Sequence, residues 1–531
     1  MTPRTLTATA LLTRLTLRRD RVRLAIWFAA LLALPLAAVA AFESLYPTQA
    51  SLDGYARAAA NPAAIAIGGP GHGLHTLGGV IVFEVGGFAA IGIALCNVFL
   101  VGRHTRAEEE LGRVELLRAA VVGRHAALTA ALLVAAGFNA AVGGAVAVAL
   151  GAQGLPWPGS VTFGAALAAI GLAFAAVTAV AAQVADHARG AQARAGAVFG
   201  AAYLARAAGD LGDGTLSWST PVGWAQATRP FADEQWWPLL LVAGLVVACV
   251  IGAFTLESHR DLGEGLASRK PGPAHASTGL TTRLGLVWRL QRSGIAGWMA
   301  GVLVAGAAMG AAADQTGDML ADNPDLLAAV GGSAAEELTD VFFRMTALLL
   351  AVAVSGYLVA AMLRSRSEER AGHVEPLLAG AVSRTGWTSA QLAVPAVASA
   401  ALLALGGASA GAVYAVAAGD AAQLPRILGS GVAYLPAVWL FGGLAVALFG
   451  VAPRSTSVAW GALAVAAVAS LLGPAFRLPA WAVDLSPFEL TPQLPGGEAM
   501  LTAPVVMLLL ASALTVAGTA GFARRDLSTT A

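Results

Sequence analysis

Long apolar segments alternate with short polar ones along the whole chain, and this alternation predicts membrane-spanning helices. A bilayer needs about 20 consecutive apolar residues in a helix, and twelve segments approach or exceed that length. Six of them lie in 1–260 and six in 283–531, on either side of a polar linker at 261–282, which we expect to be cytoplasmic. We therefore predict an all-α polytopic membrane protein with twelve transmembrane helices in two tandem six-helix halves. The predicted spans are Leu24–Phe42, Leu77–Val101, Ala126–Gly151, Val161–Val184, Ala195–Leu211, Trp237–Leu256, Trp298–Ala313, Val341–Leu363, Gln391–Ala418, Gly429–Val451, Val458–Ala475 and Met500–Phe522.

A charged segment after the second span of the first half recurs 260 residues later, as Arg106 and Arg366 illustrate. The copies share acidic residues and a glycine in register, followed by an apolar stripe at helical spacing. We predict a short amphipathic helix on the inner membrane surface in each half. Its acidic face would be free to meet a cytoplasmic partner; a solvated loop helix kept by duplication is the alternative. The matched residues are Glu108 with Glu368, Glu109 with Glu369, Gly112 with Gly372, and Glu115 with Glu375.

The predicted start of each amphipathic helix rests on hydroxyl side chains. Thr105 precedes the acidic residues of the first copy, and Ser365 or Ser367 those of the second. Serine and threonine are favoured at helix N-termini, where carboxylates in the first turn also suit the helix dipole. We therefore expect these residues to be N-caps.

Composition supports a membrane protein and excludes several other classes. The chain is 57% hydrophobic and 12% charged, against about 25% charged residues in soluble domains. Its net charge of +1 gives no footprint for nucleic acid. Its one lysine, Lys270, lies outside any glycine-rich phosphate loop, so we expect no Walker-type ATP site here. Neither a metal-binding cluster nor a catalytic motif is evident, and we predict a protein that is not an enzyme and holds no cofactor.

Arginine placement predicts the orientation in the membrane. With the N-terminus inside, 26 of the 32 basic residues fall on the cytoplasmic side, as the positive-inside rule requires. An even number of spans then places both termini, and both charged repeats, in the cytoplasm of a bacterial cell. The basic start of the chain predicts an interfacial helix leading into the first span. Its residues Arg18 and Arg21 have counterparts Arg289 and Arg292 before the seventh span.

Four charged residues lie within predicted spans, where charge is costly and marks functional candidates. Arg206 and Asp210 are one turn apart in the fifth span, and a purely structural salt bridge is an equal alternative. Glu84 and Arg344 occupy the same repeat position in the two second spans. We predict that they form a cross-half ion pair helping to close the outer side. In the competing local interpretation Arg344 pairs with Asp340 and Glu84 bonds a hydroxyl or a backbone group.

These motifs together resemble the permease subunits of type-2 ABC exporters. The resemblance is to the fused twelve-span "exporter of polyketide antibiotics" (tetronasin-type) family and covers nearly the whole chain. It rests on the charged repeat Arg103–Leu117, the segment 206–210 and the outer-loop motif Leu216–Trp224. Leu490 departs from the family pattern, which often has a histidine there. The motif residues carried over are Trp218, Pro221 and Trp224, with Pro487 in Asp484–Phe488; the tryptophans are expected at the membrane interface, or alternatively at a substrate exit.

The resemblance implies a function that composition alone does not give. The charged repeats would be coupling helices docking on two copies of a cytoplasmic ABC ATPase, which would bind ATP and Mg²⁺. Arg18 and Arg21 would belong to a connecting helix. The chain would export hydrophobic or amphiphilic, drug-like compounds, or a lipid, by alternating access. A proton-driven twelve-span multidrug transporter and a membrane enzyme acting on lipids are the alternatives.

Overall fold

The structure is a computed structural model, and in the part of the chain that it describes every regular element is helical. This confirms the predicted all-α class. The chain forms two compact units, Met1–Pro271 and Gly272–Ala531. The division falls inside 261–282, whose role as a linker remains a prediction. The described residues are 3–59, 64–65, 68–112, 121–261, 265–266, 274–321, 334–472, 479–492, 494–496 and 501–527.

The first unit is organised around its fifth helix, which packs against the third, fourth and eighth. Small residues allow close approach: a Cβ added to Gly164 would lie 2.2 Å from the carbonyl oxygen of Gly143. Such backbone contact is the usual way to bind helices together in a membrane, where apolar burial gives no net drive. The helices are α1 Thr9–Leu45, α2 Gln49–Ala59, α3 Leu77–Gly102, α4 Ala126–Ala152, α5 Trp157–Val184, α6 Ala188–Leu211, α7 Pro221–Gln226 and α8 Pro238–Ser258.

The second unit has the same order of long helices, with two close pairs. The first and fourth of its helices pack along their length, with Gly306 against the backbone of Gly406. The sixth and last pack likewise, with Gly450 against Gly518. The helices are α9 Arg283–Ala321, α10 Ala334–Arg370, α11 Val374–Leu378, α12 Arg384–Ala417, α13 Gln423–Ala433, α14 Leu435–Val451, α15 Val458–Leu472, α16 Ala480–Val483 and α17 Thr502–Arg524.

Ten helices in the described ranges are long and apolar enough to cross a membrane. The two predicted spans that fall short are the fifth of each half. Helix α6 contains Arg189, Arg194, Arg206 and Asp210, and α15 has only 15 residues. The structure thus supports a chain that crosses the membrane several times. The number of twelve spans and the cytoplasmic position of both termini remain predictions.

The basic start of the chain is continuous with the first span. Helix α1 runs without a break from Thr9 to Leu45. No glycine or proline occurs between Thr9 and Pro35, so nothing ends the helix where it enters the apolar segment. An interfacial role for its basic start remains a prediction. In the second unit, α9 likewise runs from Arg283 through the predicted seventh span.

Candidate functional site: charged helix ends and an apolar cleft

The first part of the charged repeat is not the start of a new helix but the end of the second span. In the first unit α3 continues through a π-helical turn, Arg103–Ala107, to Glu110. The Thr105 hydroxyl donates to the carbonyl oxygen of Val101 at 2.6 Å, a bond made inside a helix. In the second unit Ser365 and Ser367 lie inside α10. The predicted N-caps were wrong because no breaker separates the apolar span from the charged residues.

The repeated glycine ends each of these helices. Gly112 and Gly372 have φ values of 67° and 73°, in the left-handed region that glycine adopts without strain. A Cβ at either position would meet open space, so backbone conformation rather than crowding favours glycine. The amide of Gly372 donates to the carbonyl of Glu369, and that of His373 to Glu368, which is the hydrogen-bonding pattern of a glycine C-cap.

In the first unit the second repeated glutamate is held by two arginines. Glu109 accepts from Arg106, one turn before it, and from Arg260, 151 residues away and just beyond α8. The Arg260 Nη1 is 2.9 Å from a Glu109 carboxylate oxygen, and its Nε donates to Gln183 at 2.7 Å. All three charged side chains are at most 10% exposed. This cluster ties the end of α3 to the end of α8.

The second unit repeats this arrangement with different neighbours. Glu369 accepts from Arg366 at 2.9 Å and from both terminal nitrogens of Arg525 at 2.6 and 2.8 Å. The guanidinium of Arg525 also lies over the rings of Phe449 and Phe522, 5.2 and 5.1 Å from their centres. We call the Glu109–Arg106–Arg260 and Glu369–Arg366–Arg525 clusters the two carboxylate clamps. In each unit the clamp joins the second span to the arginine that follows the last span.

A second repeated arginine caps the same last helix. Arg124 donates to the backbone carbonyl of Glu257 at 2.8 Å, and Arg384 donates to those of Phe522 and Ala523 at 3.4 and 3.3 Å. Carbonyls in the last turn of a helix have no partner within it. Arg124 and Arg384 are in register in the sequence, which was the available sign of a shared role, but the role was not predicted.

The remaining acidic residues of the repeat are partnered differently. Glu108 pairs with Arg19 of α1 at 2.9 Å. Glu110 accepts from the first amide of α6, at Ala188, at 2.6 Å. In the second unit Glu368 pairs with Arg364 and lies 2.8 Å from His373. Carboxylates at a helix C-terminus are unfavourable against its dipole, and these cationic or N–H partners offset that cost.

The residues beyond the glycine of the second repeat include both buried and exposed positions. Val374 of α11 is buried beside Trp387, whereas Glu375 is exposed. Glu115 lies outside the described residues. Of the predicted connecting helix, Arg18, Arg21, Arg289 and Arg292 are all exposed on α1 and α9.

Sequence reasoning missed a buried carboxylate in the basic segment. Asp20 on α1 is 3% exposed and lies 2.6 Å from His104 and 3.3 Å from Arg103. It fastens α1 to the π-helical turn. The available signal in the sequence was a single acidic residue among many arginines. Such a carboxylate needs cationic or N–H partners if it is buried, because an unpaired buried carboxylate is costly.

Arg206 and Asp210 form a local network. Their side chains are 3.2 Å apart and at most 5% exposed. The Arg206 guanidinium lies 4.4 Å from the ring centre of Tyr203, and the Ser217 hydroxyl is 2.9 Å from the Arg206 carbonyl. The network secures the turn after α6, in agreement with the structural alternative, and a further role in transport remains a prediction.

The other two charges in predicted spans have local contacts. Glu84 accepts from the hydroxyl of Tyr55 on α2, and burial together with this carboxylate raises the pKa of Tyr55. Arg344 donates to the backbone carbonyl of Asp340 at 3.4 Å, while the Asp340 carboxylate pairs with Arg426 at 2.6 Å. The cross-half pair would join the two units and remains a prediction.

The outer-loop motif builds a short capped helix. The Thr220 hydroxyl accepts from the amide of Gly223, and Pro221 takes the first position of α7, where proline is preorganised. Trp218 stacks on Trp237 with ring centres 5.2 Å apart, and the Trp224 indole donates to the Trp218 carbonyl. In the second unit Pro487 follows the buried Ser486.

A mostly apolar cleft opens beside α7 in the first unit. Its walls are the second to fourth turns of α3 and α5, and Val222 and Ala225 of α7. His72, Gln226 and Arg229 bring polar groups to it. A concave, mostly apolar surface with a few polar groups is the usual character of a small-molecule site, and sequence reasoning gave no sign of this one. Within the described residues, no group of three or more His, Cys, Asp or Glu side chains is placed to hold a metal ion.

These features define a multi-pass membrane protein with an internal duplication. The family described as "Multidrug efflux system permease Rv1217c, C-terminal domain" matches residues 280–523. The chain is also 40% identical to the "Multidrug efflux system permease protein Rv1217c" of Mycobacterium tuberculosis (strain ATCC 25618 / H37Rv), over 98% of this chain and 95% of that protein. The chain therefore belongs to the family of this multidrug efflux system permease.

Proposed function

We propose that this chain is the membrane permease of an efflux system that moves drug-like, largely apolar compounds out of the cell. The relative's name supports efflux and a transport role rather than catalysis. The tetronasin-type subfamily, suggested by the sequence motifs, is the finer form of this assignment. A proton-driven secondary transporter is not favoured.

The carboxylate clamps carry the proposal of a separate motor. Each clamp fixes the end of the second span to the residue after the last span, through Glu109 and Arg260 or Glu369 and Arg525. A force applied to the segment beyond Gly112 or Gly372 would therefore be transmitted to two spans of that unit. We infer that these segments contact two copies of a cytoplasmic ABC ATPase, which would bind ATP and Mg²⁺. In this proposal Glu109 and Glu369 brace the contact, and exposed residues such as Glu375 make it.

The partner is tested by co-purification from native membranes followed by measurement of the intact complex mass. We expect one copy of this chain with two ATPase subunits, and no ATP hydrolysis by this chain alone. Two copies of this chain in each functional complex would refute the proposed stoichiometry.

The coupling role is tested by reversing charges in the segments beyond the repeated glycines. Glu115→Arg with Glu375→Arg should lower drug-stimulated ATP hydrolysis by the complex about tenfold while leaving the unfolding temperature unchanged. That factor corresponds to about 1.4 kcal/mol. Asp484→Arg is the matched control, since Asp484 is an exposed carboxylate at the opposite end of the second unit. Equal stimulation in the double variant and the control would contradict docking at these segments.

A further inference from the structure

The cleft of the first unit has an aromatic-filled counterpart in the second. Thr220-Pro221-Val222 corresponds to Ser486-Pro487-Phe488 in the sequence. Val222 forms one wall of the open cleft. Phe488 is 1% exposed and packs on Phe441, with ring centres 5.4 Å apart. A ring thus occupies the place where the first unit has a smaller side chain.

A second wall position differs in the same sense. When Val184 and Val451 are aligned as the ends of the fourth spans, Leu167 corresponds to Tyr434. Leu167 lines the cleft, whereas the Tyr434 ring lies 6.4 Å from that of Phe488. The same alignment matches Phe174 with Phe441. At two independent positions the second unit therefore has an aromatic ring where the first has an aliphatic side chain.

The polar groups of the cleft specify the kind of molecule it would hold. The Gln226 Nε2 donates to the carbonyl of Gly68 at 3.3 Å, and its Oε1 is buried with no hydrogen-bond partner among the described residues. A buried acceptor without a partner is costly and suits a ligand with an N–H or O–H group. Arg229 adds positive charge, and none of the described residues that line the cleft is a carboxylate. Burial and Arg229 also lower the pKa of His72, which favours its neutral form.

We propose that this cleft binds an apolar, aromatic-sized molecule that carries a hydrogen-bond donor for Gln226 and a negative or neutral polar group near Arg229. Cationic compounds are disfavoured because they would face Arg229, and no carboxylate is among the described lining residues. The inference deepens the proposed function and rests on it for the transport step, although binding itself is independent of transport.

The test is a titration of the full-length chain in lipid nanodiscs with 1-anilinonaphthalene-8-sulfonate. This probe has apolar rings, one N–H and one sulfonate, and it fluoresces in apolar surroundings. Val222→Phe places a ring in the cleft and should weaken binding at least tenfold. Val416→Phe is the matched control, because it makes the same change at a residue that is 84% exposed in the second unit. Binding in Val222→Phe as tight as in the wild type would overturn the proposal.

Further variants keep the test decisive if Val222→Phe does not fold. Gly86→Val narrows the cleft from α3, where an added Cβ would meet Phe163 at an ordinary 3.7 Å, and should also weaken binding. Gln226→Leu should weaken binding about two- to tenfold, the loss of one hydrogen bond. Arg229→Gln should weaken binding of the sulfonate but not that of neutral N-phenyl-1-naphthylamine. Equal effects on both probes would contradict the role of Arg229.

Efflux from cells separates this inference from the proposed function. If both hold, Val222→Phe should reduce efflux of N-phenyl-1-naphthylamine and leave efflux of cationic rhodamine 6G unchanged. Loss of both would contradict a selective cleft. Failure of the wild-type chain and its ATPase to expel any probe, with anilinonaphthalene binding intact, would refute the proposed function alone.

Discussion

The two units are alike at their charged ends and unlike at their opposite ends. At the charged ends, Glu109 and Glu369 are each held by a near arginine and by one beyond the last span. At the opposite ends, Val222 borders an open cleft and its counterpart Phe488 fills a core. Duplication has therefore kept the feature that we assign to coupling in both units. The feature that we assign to ligand binding differs between them.

The contact between the first and second spans shows an intermediate degree of difference. Asp20 on α1 meets His104 and Arg103, and its sequence counterpart on α9 is the buried but uncharged Gln291. In the second unit Arg364 instead donates to the backbone carbonyl of Leu290 at 3.1 Å. Both units join these helices near the charged end, but only the first uses a buried carboxylate among the described residues.

The largest expected effect comes from breaking the shared clamp. Glu109→Gln or Glu369→Gln should each lower the free energy of unfolding by about 3–5 kcal/mol, because buried arginines lose their carboxylate. The measurement is chemical unfolding in detergent. Glu375→Gln, at an exposed position of the same repeat, should change stability by less than about 0.5 kcal/mol. A large cost in only one unit would show that the clamps are not equivalent.

The aromatic core of the second unit should be the next most sensitive region. Phe488→Val should cost about 2–4 kcal/mol, because it leaves a cavity among Phe441 and Tyr434. Val222→Phe enters an existing cleft and should cost less. The same unfolding assay compares the two variants, and equal costs would mean that the first unit has no usable space at this position.

A buried pair of asparagines in the first unit has no equivalent pair at the matching positions of the second, and removing it should have a smaller effect. Asn97 and Asn139 are fully buried and exchange two hydrogen bonds of 2.9 Å. Their counterparts in the repeat are Tyr357 and Ser399, and the Ser399 hydroxyl accepts instead from the indole of Trp439 at 3.2 Å. A double-mutant cycle with Asn97→Leu and Asn139→Leu should give a coupling energy of about 0.6–1.7 kcal/mol, the range for polar contacts between membrane helices. A coupling energy of zero would show that the pair contributes only through packing.

The smallest effect concerns pH. The pKa of His72 lies below its ordinary value of 6.5, because burial and Arg229 outweigh the opposing influence of Asp210. His72 is therefore neutral at pH 7 and becomes cationic only below that ordinary value. Anilinonaphthalene sulfonate should bind about two- to fivefold more tightly after this protonation, as expected for one partly solvated charge. His72→Asn should abolish the pH dependence, and a persistent dependence would assign it to another group.

The sequence was sufficient for the helical class and for the alignment of the two halves, because long apolar segments and in-register residues are local features. It was insufficient for the caps at Thr105 and Ser367, because a hydroxyl before acidic residues looks the same inside a continuous helix as at its start. The repeat identified Glu109 and Glu369 but not their partners. Arg260 and Arg525 are 151 and 156 residues away, and only the folded chain brings them near.

The cleft could not be predicted from local sequence patterns, for a different reason. Leu167 and Val222 are ordinary apolar residues, and the space between them depends on the packing of three separate segments. Alignment of Val222 with Phe488 shows a change of volume but not whether the smaller side chain leaves a void. The charges in α6 also gave a misleading impression of how exposed this helix is. Arg206 and Asp210 make α6 less apolar in sequence, yet in the structure they form a buried pair.

The most direct test of the difference between the units is the number of anilinonaphthalene sulfonate sites on each chain, measured by equilibrium dialysis against the full-length protein in nanodiscs. Binding to protein-free discs is subtracted, and Val416→Phe, which leaves the cleft intact, is the control that should keep the wild-type number of sites. We predict one site in the wild type, none in Val222→Phe, and one or more in Phe488→Val, where the first cleft remains intact. A site that persists in Val222→Phe and disappears in Phe488→Val would place binding in the second unit and contradict the account.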